Sequence, residues 1–181
     1  MTLWRQWIWN ASLWLTRNRQ IGPVLEFRQA VRGTKRWLIY LAEETAADQW
    51  KNVHERLVTL FENSEITLLA RDGLSDETVE SAKVMKGIRE IRLLGQRDFG
   101  WRANVRRRVI EELRKYGFDI VLDYSRTFDL AMAYALCAVG APVMAGMHLE
   151  PEAERFYNLI VRPDPTTGSD DALLDCLSKL R

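Results

Sequence analysis

The chain has 181 residues, with 26 basic against 25 acidic side chains and 47% apolar content, which fits one soluble domain around a single core and is too short for two ordinary domains. The near-neutral balance, with no reader motif, argues against nucleic acid as a partner. The two cysteines, Cys137 and Cys176, sit in apolar helical patterns without metal-like spacing, so they read as core thiols of a reducing, cytoplasmic setting, and neither a metal nor a cofactor is implied.

Charge is nonetheless polarised along the chain. Residues 1–36 hold seven basic residues against Glu26 alone, about +6, which leaves the rest near −5 for a net charge of +1. Trp4, Trp7, Trp9 and Trp14 crowd the same arm. At about 100° per residue, Trp4, Trp7, Ile8, Ala11, Trp14 and Leu15 share roughly one third of a helix circumference, which predicts an amphipathic helix. It is too short and too polar to span a bilayer and lacks the apolar core and cleavage site of a secretory signal. A protein surface is the first expectation for what this stripe covers. The cytoplasmic face of the inner membrane, which suits half-wet tryptophan and arginine, is the second, and a homo-oligomer with the arm packed between protomers is the third.

Residues 20–34 read as a connector, because Gly22-Pro23 stops the arm and Gly33-Thr34 precedes the first strand. The domain is then expected over 35–181. Lys35 to Ala42 is strand-like and runs into Glu43-Glu44-Thr45 without a glycine, so the loop that would cradle a phosphate in such folds has the wrong chemistry for it. Trp50, Val53, Leu57, Leu60 and Phe61 recur at the helical period over Thr45 to Asn63. A second strand, Glu65 to Ala70, is followed by a helix capped at Ser75, and a third strand spans Ile88 to Leu94.

Gln96 to Trp101 is read as a loop, in which Phe99 and Trp101 are candidate contact residues because aromatic side chains anchor interfaces efficiently. Arg102 to Tyr116 is predicted helical. Its Arg102, Arg106, Arg107 and Arg108 form a basic cluster, but Glu111 and Glu112 follow at once, so a solvated face is the reading preferred to an anion site. Strand four covers 118–124, an apolar helix spans Phe128 to Val139, strand five is Pro142 to Met147, and Pro151 to Phe156 makes a single turn. Strand six, Asn158 to Val161, and a helix from Ser169 to Leu180 end the chain. Alternating strands and helices predict an α/β, doubly wound, mainly parallel sheet in the order 3-2-1-4-5-6, with its switch point between strands one and four.

The run Tyr116-Gly-Phe-Asp-Ile-Val-Leu-Asp-Tyr-Ser125, the apolar helix after it, and Val139-Gly-Ala-Pro-Val-Met-Ala-Gly146 resemble the N-terminal, Rossmann-like half of heptosyltransferase-like glycosyltransferases, family 9. Tyr157-Asn-Leu-Ile-Val161 also resembles a group of short bacterial single-domain proteins of this type. The resemblance covers about residues 116–162 and implies the fold. It further implies a two-domain enzyme that binds nucleotide-sugar mainly in its C-terminal domain and places an aspartate in the glycine-rich loop after strand one. This chain has Glu43-Glu44-Thr45 there and is expected to end before a second domain, so glycosyl transfer is carried over less strongly than fold.

Glu43, Glu44, Asp123, Ser125 and Arg126 are expected at the strand ends, where carboxylates and a cation could serve a small ligand. Asp123 is the best single catalytic candidate, and His148, beside Glu150 after strand five, is a further cleft candidate. Helix capping is the competing role for the acids. The resulting expectation is a non-catalytic binding or scaffold module held to a protein complex or membrane surface by its N-terminal helix. A glycosyltransferase-like enzyme or a nucleotide- or sugar-binding domain is the alternative.

Overall fold

A strand covered on both faces needs an unbroken apolar run, not an alternating one. β1 (Arg36–Leu41), β2 (Glu65–Arg71) and β4 (Ile120–Tyr124) have such runs, and in the computed structural model they are buried along almost their whole length. With β3 (Ile88–Leu94), β5 (Val143–Gly146) and β6 (Leu159–Ile160) they form one six-stranded sheet in the order β3-β2-β1-β4-β5-β6, every pairing parallel. The doubly wound order expected from the sequence is therefore the observed one. The structure describes residues 26–101, 103–147, 150–162 and 172–181; the arm stripe of Trp4, Trp7, Ile8, Trp14 and Leu15, together with Arg102 and His148, lies outside them.

Alternation along the strands divides the core between two faces. Trp37, Ile39, Leu41, Ile66, Leu68 and Leu122 point to one face. There they meet α1 (Phe27–Arg32), α2 (Ala47–Leu60), α3 (Asp76–Lys83) and the C-terminal helix Ala172–Leu180, here α6, through Val31, Trp50, Val53, Leu57, Ala82, Leu173 and Leu177. Leu38, Tyr40, Leu69, Val121 and Met144 point to the other face. That face is covered by α4 (Arg107–Arg114) and α5 (Leu130–Val139), with the 3-10 turn Pro151–Arg155 beside them.

Local polar bonds fix the strand starts. Asp119 accepts from the backbone N–H groups of Lys35 and Arg36, each at 2.9 Å, and so aligns β1 with β4. Asn158 does the same between β5 and β6, accepting from Met144 N and donating to the Pro142 carbonyl, both at 2.8 Å.

Three sequence expectations are corrected. The connector contains α1, whose Val31 is fully buried in the first core. The helix predicted from Arg102 begins at Arg107, because the chain first makes a tight turn: Gly100 N donates to the Asn104 carbonyl at 2.8 Å, Ala103 adopts φ 58°, and Phe99 bridges Val105. Arg106 is extended and serves as the N-cap. The helix after β1 is likewise shorter than expected, ending at Leu60, and Asn63 turns back through φ 64°.

Candidate functional site

In an open parallel sheet the carboxyl ends of the strands on either side of the switch point leave a crevice, here between β1 and β4. Tyr40 and Asp123 are register partners at this point and lie on the second face of the sheet. Asp123 is only 1% exposed. Its Oδ1 accepts from the Ser125 backbone N–H at 3.0 Å and from Ser125 Oγ at 2.6 Å, and its Oδ2 accepts from the Tyr157 hydroxyl. A buried carboxylate without such donors would be costly, and three donors satisfy most of what this one needs.

Two further charges flank this knot. Arg71, at the end of β2, forms an ion pair with Asp129 and holds its guanidinium 5.2 Å above the centre of the Phe99 ring. Asp129 is also the N-cap of α5, its Oδ1 accepting from Ala131 N at 2.9 Å and Met132 N at 3.3 Å. One buried polar atom here, Arg71 Nε, has no hydrogen-bond partner among the described residues.

The electrostatics make the two tyrosines hard to ionise. Burial is the main cause of the raised Tyr40 value; Arg71 opposes it, and Asp123 adds to it. Tyr157 is raised by burial and then by the Asp123 carboxylate it bonds. Both phenols therefore keep their protons near neutral pH, and that of Tyr157 is given to Asp123 in a hydrogen bond.

Of the residues anticipated at the strand ends, the structure joins Asp123 and Ser125 directly. Glu43 stands exposed at the rim, close to Gly73, where an added Cβ would come within 2.8 Å of its carboxylate. Glu44 and Arg126 are exposed side chains on their loops. Phe99 is half-buried in the second core, whereas Trp101, two residues on, is 84% exposed. Tyr40, Arg71, Asp129 and Tyr157 were not singled out from the sequence. Asp129, directly before an apolar helix, carried a legible cap signal; Tyr157 did not, because only the fold brings it to Asp123.

His54 takes a structural place. It is buried, and its Nε2 lies 2.7 Å from the Lys86 carbonyl, so that nitrogen carries the proton and ties α2 to the turn before β3. A groove of about 950 Å³ opens elsewhere, along α2 and α6, lined by residues including Asn52, Arg56, Tyr124 and Ser178. Tyr124 belongs to the first core and Asp123 points to the opposite face, so this groove is separate from the Asp123 knot. Among the described residues no group of histidine, cysteine or acidic side chains is arranged to hold a metal ion, and no helix is long and apolar enough to cross a membrane.

No protein-family model and no curated protein matches the sequence. Among solved structures, the fold is similar to the crystal structure of the glycosyl transferase family 9 protein from Veillonella parvula DSM 2008, with a TM-score of 0.55 and 16% identity. The match covers 81% of this chain and 40% of that one. The chain is thus glycosyltransferase family 9-like in fold, over less than half of that protein's length, as the strands and helix of residues 116–162 led one to expect.

Proposed function

We propose that this is a non-catalytic, Rossmann-like binding module of glycosyltransferase-like fold, attached to a protein complex or membrane surface by its Trp-rich N-terminal segment, with the arm and connector over residues 1–34 and α1 of that connector packed into the domain's first core. One observation carries the loss of catalysis: Asp123 is sealed, and both its oxygens are engaged by Ser125 and Tyr157. A general base must reach a substrate proton, and this carboxylate is spent on its own fold. The loop after β1 agrees, since exposed Glu43 and Glu44 would repel a phosphate where this fold usually offers glycine and backbone N–H groups.

A second reading, a sugar or nucleotide bound at the strand ends without turnover, draws on Arg71 at the edge of this crevice, whose buried Nε has no partner among the described residues. Calorimetric titration of the full chain with nucleotide-sugars, and an assay of sugar release, separate the readings. The module reading expects no turnover, and an Asp123→Asn variant that changes stability alone. Turnover by the native chain that Asp123→Asn abolishes would overturn it. Attachment is tested by replacing Trp4, Trp7 and Trp14 with alanine in the full chain, which is expected to release it from the native membrane fraction or from a stoichiometric partner.

A further inference from the structure

β3 forms one edge of the sheet, and exposed large apolar side chains precede, occupy and follow it in the chain. Val84, just before the strand, is 86% exposed; Leu93, on it, is 38% exposed; Trp101, in the turn after it, is 84% exposed. These are the exposed large hydrophobics among the described residues. Glu90 to Leu94 run regularly against Thr67 to Arg71 of β2. The Leu94 carbonyl accepts from Asp72 N at 3.1 Å, so by the alternation of a parallel ladder Glu90 and Arg92 also direct their backbone groups to β2, while Ile91 and Leu93 direct theirs outward.

An exposed edge with charged side chains normally repels an incoming strand. Here the order Glu90-Ile91-Arg92 makes an exception for one strand, a second copy of itself. Laid antiparallel about a two-fold axis at Ile91, the edge places Glu90 opposite Arg92 of the second copy and Arg92 opposite its Glu90. Ile91 meets Ile91 as a hydrogen-bonded pair, and the two charged pairs fall in the closer, non-hydrogen-bonded positions.

We propose that β3 is a homodimer edge, through which two copies join their sheets into one by antiparallel pairing centred on Ile91. Both charged side chains also hold partners of their own chain. Glu90 is half-buried with Oε2 taking the Tyr116 hydroxyl at 2.7 Å, and the Arg92 side chain is 36% exposed, with Glu112 at 3.3 Å and Asp98 at 3.8 Å. A carboxylate accepts several bonds and a guanidinium offers five, so both can engage a second partner. The pairing is isologous, as a two-fold interface must be. It is independent of the arm and of the binding role proposed above.

Sedimentation velocity on the full chain, from about 1 to 100 µM, tests this, since so short an edge is expected to give a Kd on the order of 10 µM. Glu90→Arg and Arg92→Glu each place like charges opposite one another twice, and each is expected to weaken the dimer at least about tenfold. The double swap restores both pairs and is expected to recover the wild-type Kd within about threefold. Leu93→Lys, on the exposed edge, gives a second variant that leaves the Tyr116 and Glu112 contacts intact and is also expected to weaken the dimer. A monomer across the whole range overturns the proposal. So does a dimer that survives both single reversals and Leu93→Lys, or one that disappears when the arm tryptophans are replaced by alanine.

Discussion

Asp123 shows how far a residue's type falls short of its role. An acid at the end of β4 was legible as a candidate, but its seal was not, because Tyr157 comes to it from 34 positions away. Removing the carboxylate should tell the two roles apart. Asp123→Ala leaves the Tyr157 hydroxyl and the Ser125 N–H and hydroxyl without their acceptor in a buried site, and is expected to cost about 2–4 kcal/mol in urea denaturation. Asp123→Asn keeps the shape and is expected to cost roughly half of that. Tyr157 gives the matching pH test. Its folded value is raised, so the phenol's proton is held more tightly in the native state; its contribution is complete below the unfolded value of about 10 and is lost as pH climbs above it. Urea melts between about pH 8 and 11.5 are expected to show stability falling with pH in the wild type and falling less steeply in Tyr157→Phe, which starts from a lower value. Equal slopes would mean that Tyr157 ionises freely in the folded protein.

Elements were legible wherever a run was long enough to show its period. The strands and the helices α2 and α5 stand where apolar spacing put them, α2 within shorter bounds, and α3 follows the Ser75 cap. Boundaries failed where a turn overruled propensity. The six residues of α1 are too few to display a helical stripe, so α1 was hidden, although Val31 is fully buried. The arginines after Trp101 favour helix, but the Gly100 to Asn104 turn delays it to Arg107. Two glycines show what such turns cost. Gly87 holds φ 83° and a Cβ there would lie 2.8 Å from the Ser64 carbonyl oxygen, whereas Gly140, at φ 87° after α5, would meet nothing within 4 Å. Gly140→Ala is therefore expected to cost about 1 kcal/mol, the left-handed penalty alone. Gly87→Ala is expected to cost at least about 1–2 kcal/mol more, because β3 starts from this turn and the Gly87 carbonyl accepts from Ile66 N of β2 at 2.8 Å. Thermal melts of the two variants measure the difference, which isolates the clash from the backbone strain.

At the scale of the whole molecule, β/α alternation and right-handed crossovers leave few arrangements, which is why the strand order could be read and the function could not. An open parallel sheet leaves its crevice at the switch point, and the side chains at that place fix whether a ligand is held there. The charge distribution carries the remaining argument. With the first 36 residues near +6 and the rest near −5, the proposed attachment would draw on one of two sources, arginines in an electrostatic contact or tryptophans in an apolar one. Salt separates them, because the screening length falls from about 10 Å at 0.1 M to about 3 Å at 1 M while apolar burial is undiminished. The crowding of four tryptophans into the first fourteen residues makes the apolar source the stronger. Recovery of the full chain with its target, measured by co-sedimentation, is therefore expected to fall less than about tenfold between those salt concentrations. The alanine variant of Trp4, Trp7 and Trp14 is expected to lose it at either. Complete release of the wild type by 1 M salt would move the attachment to the arginines and leave the tryptophan stripe for packing on the chain's own domain.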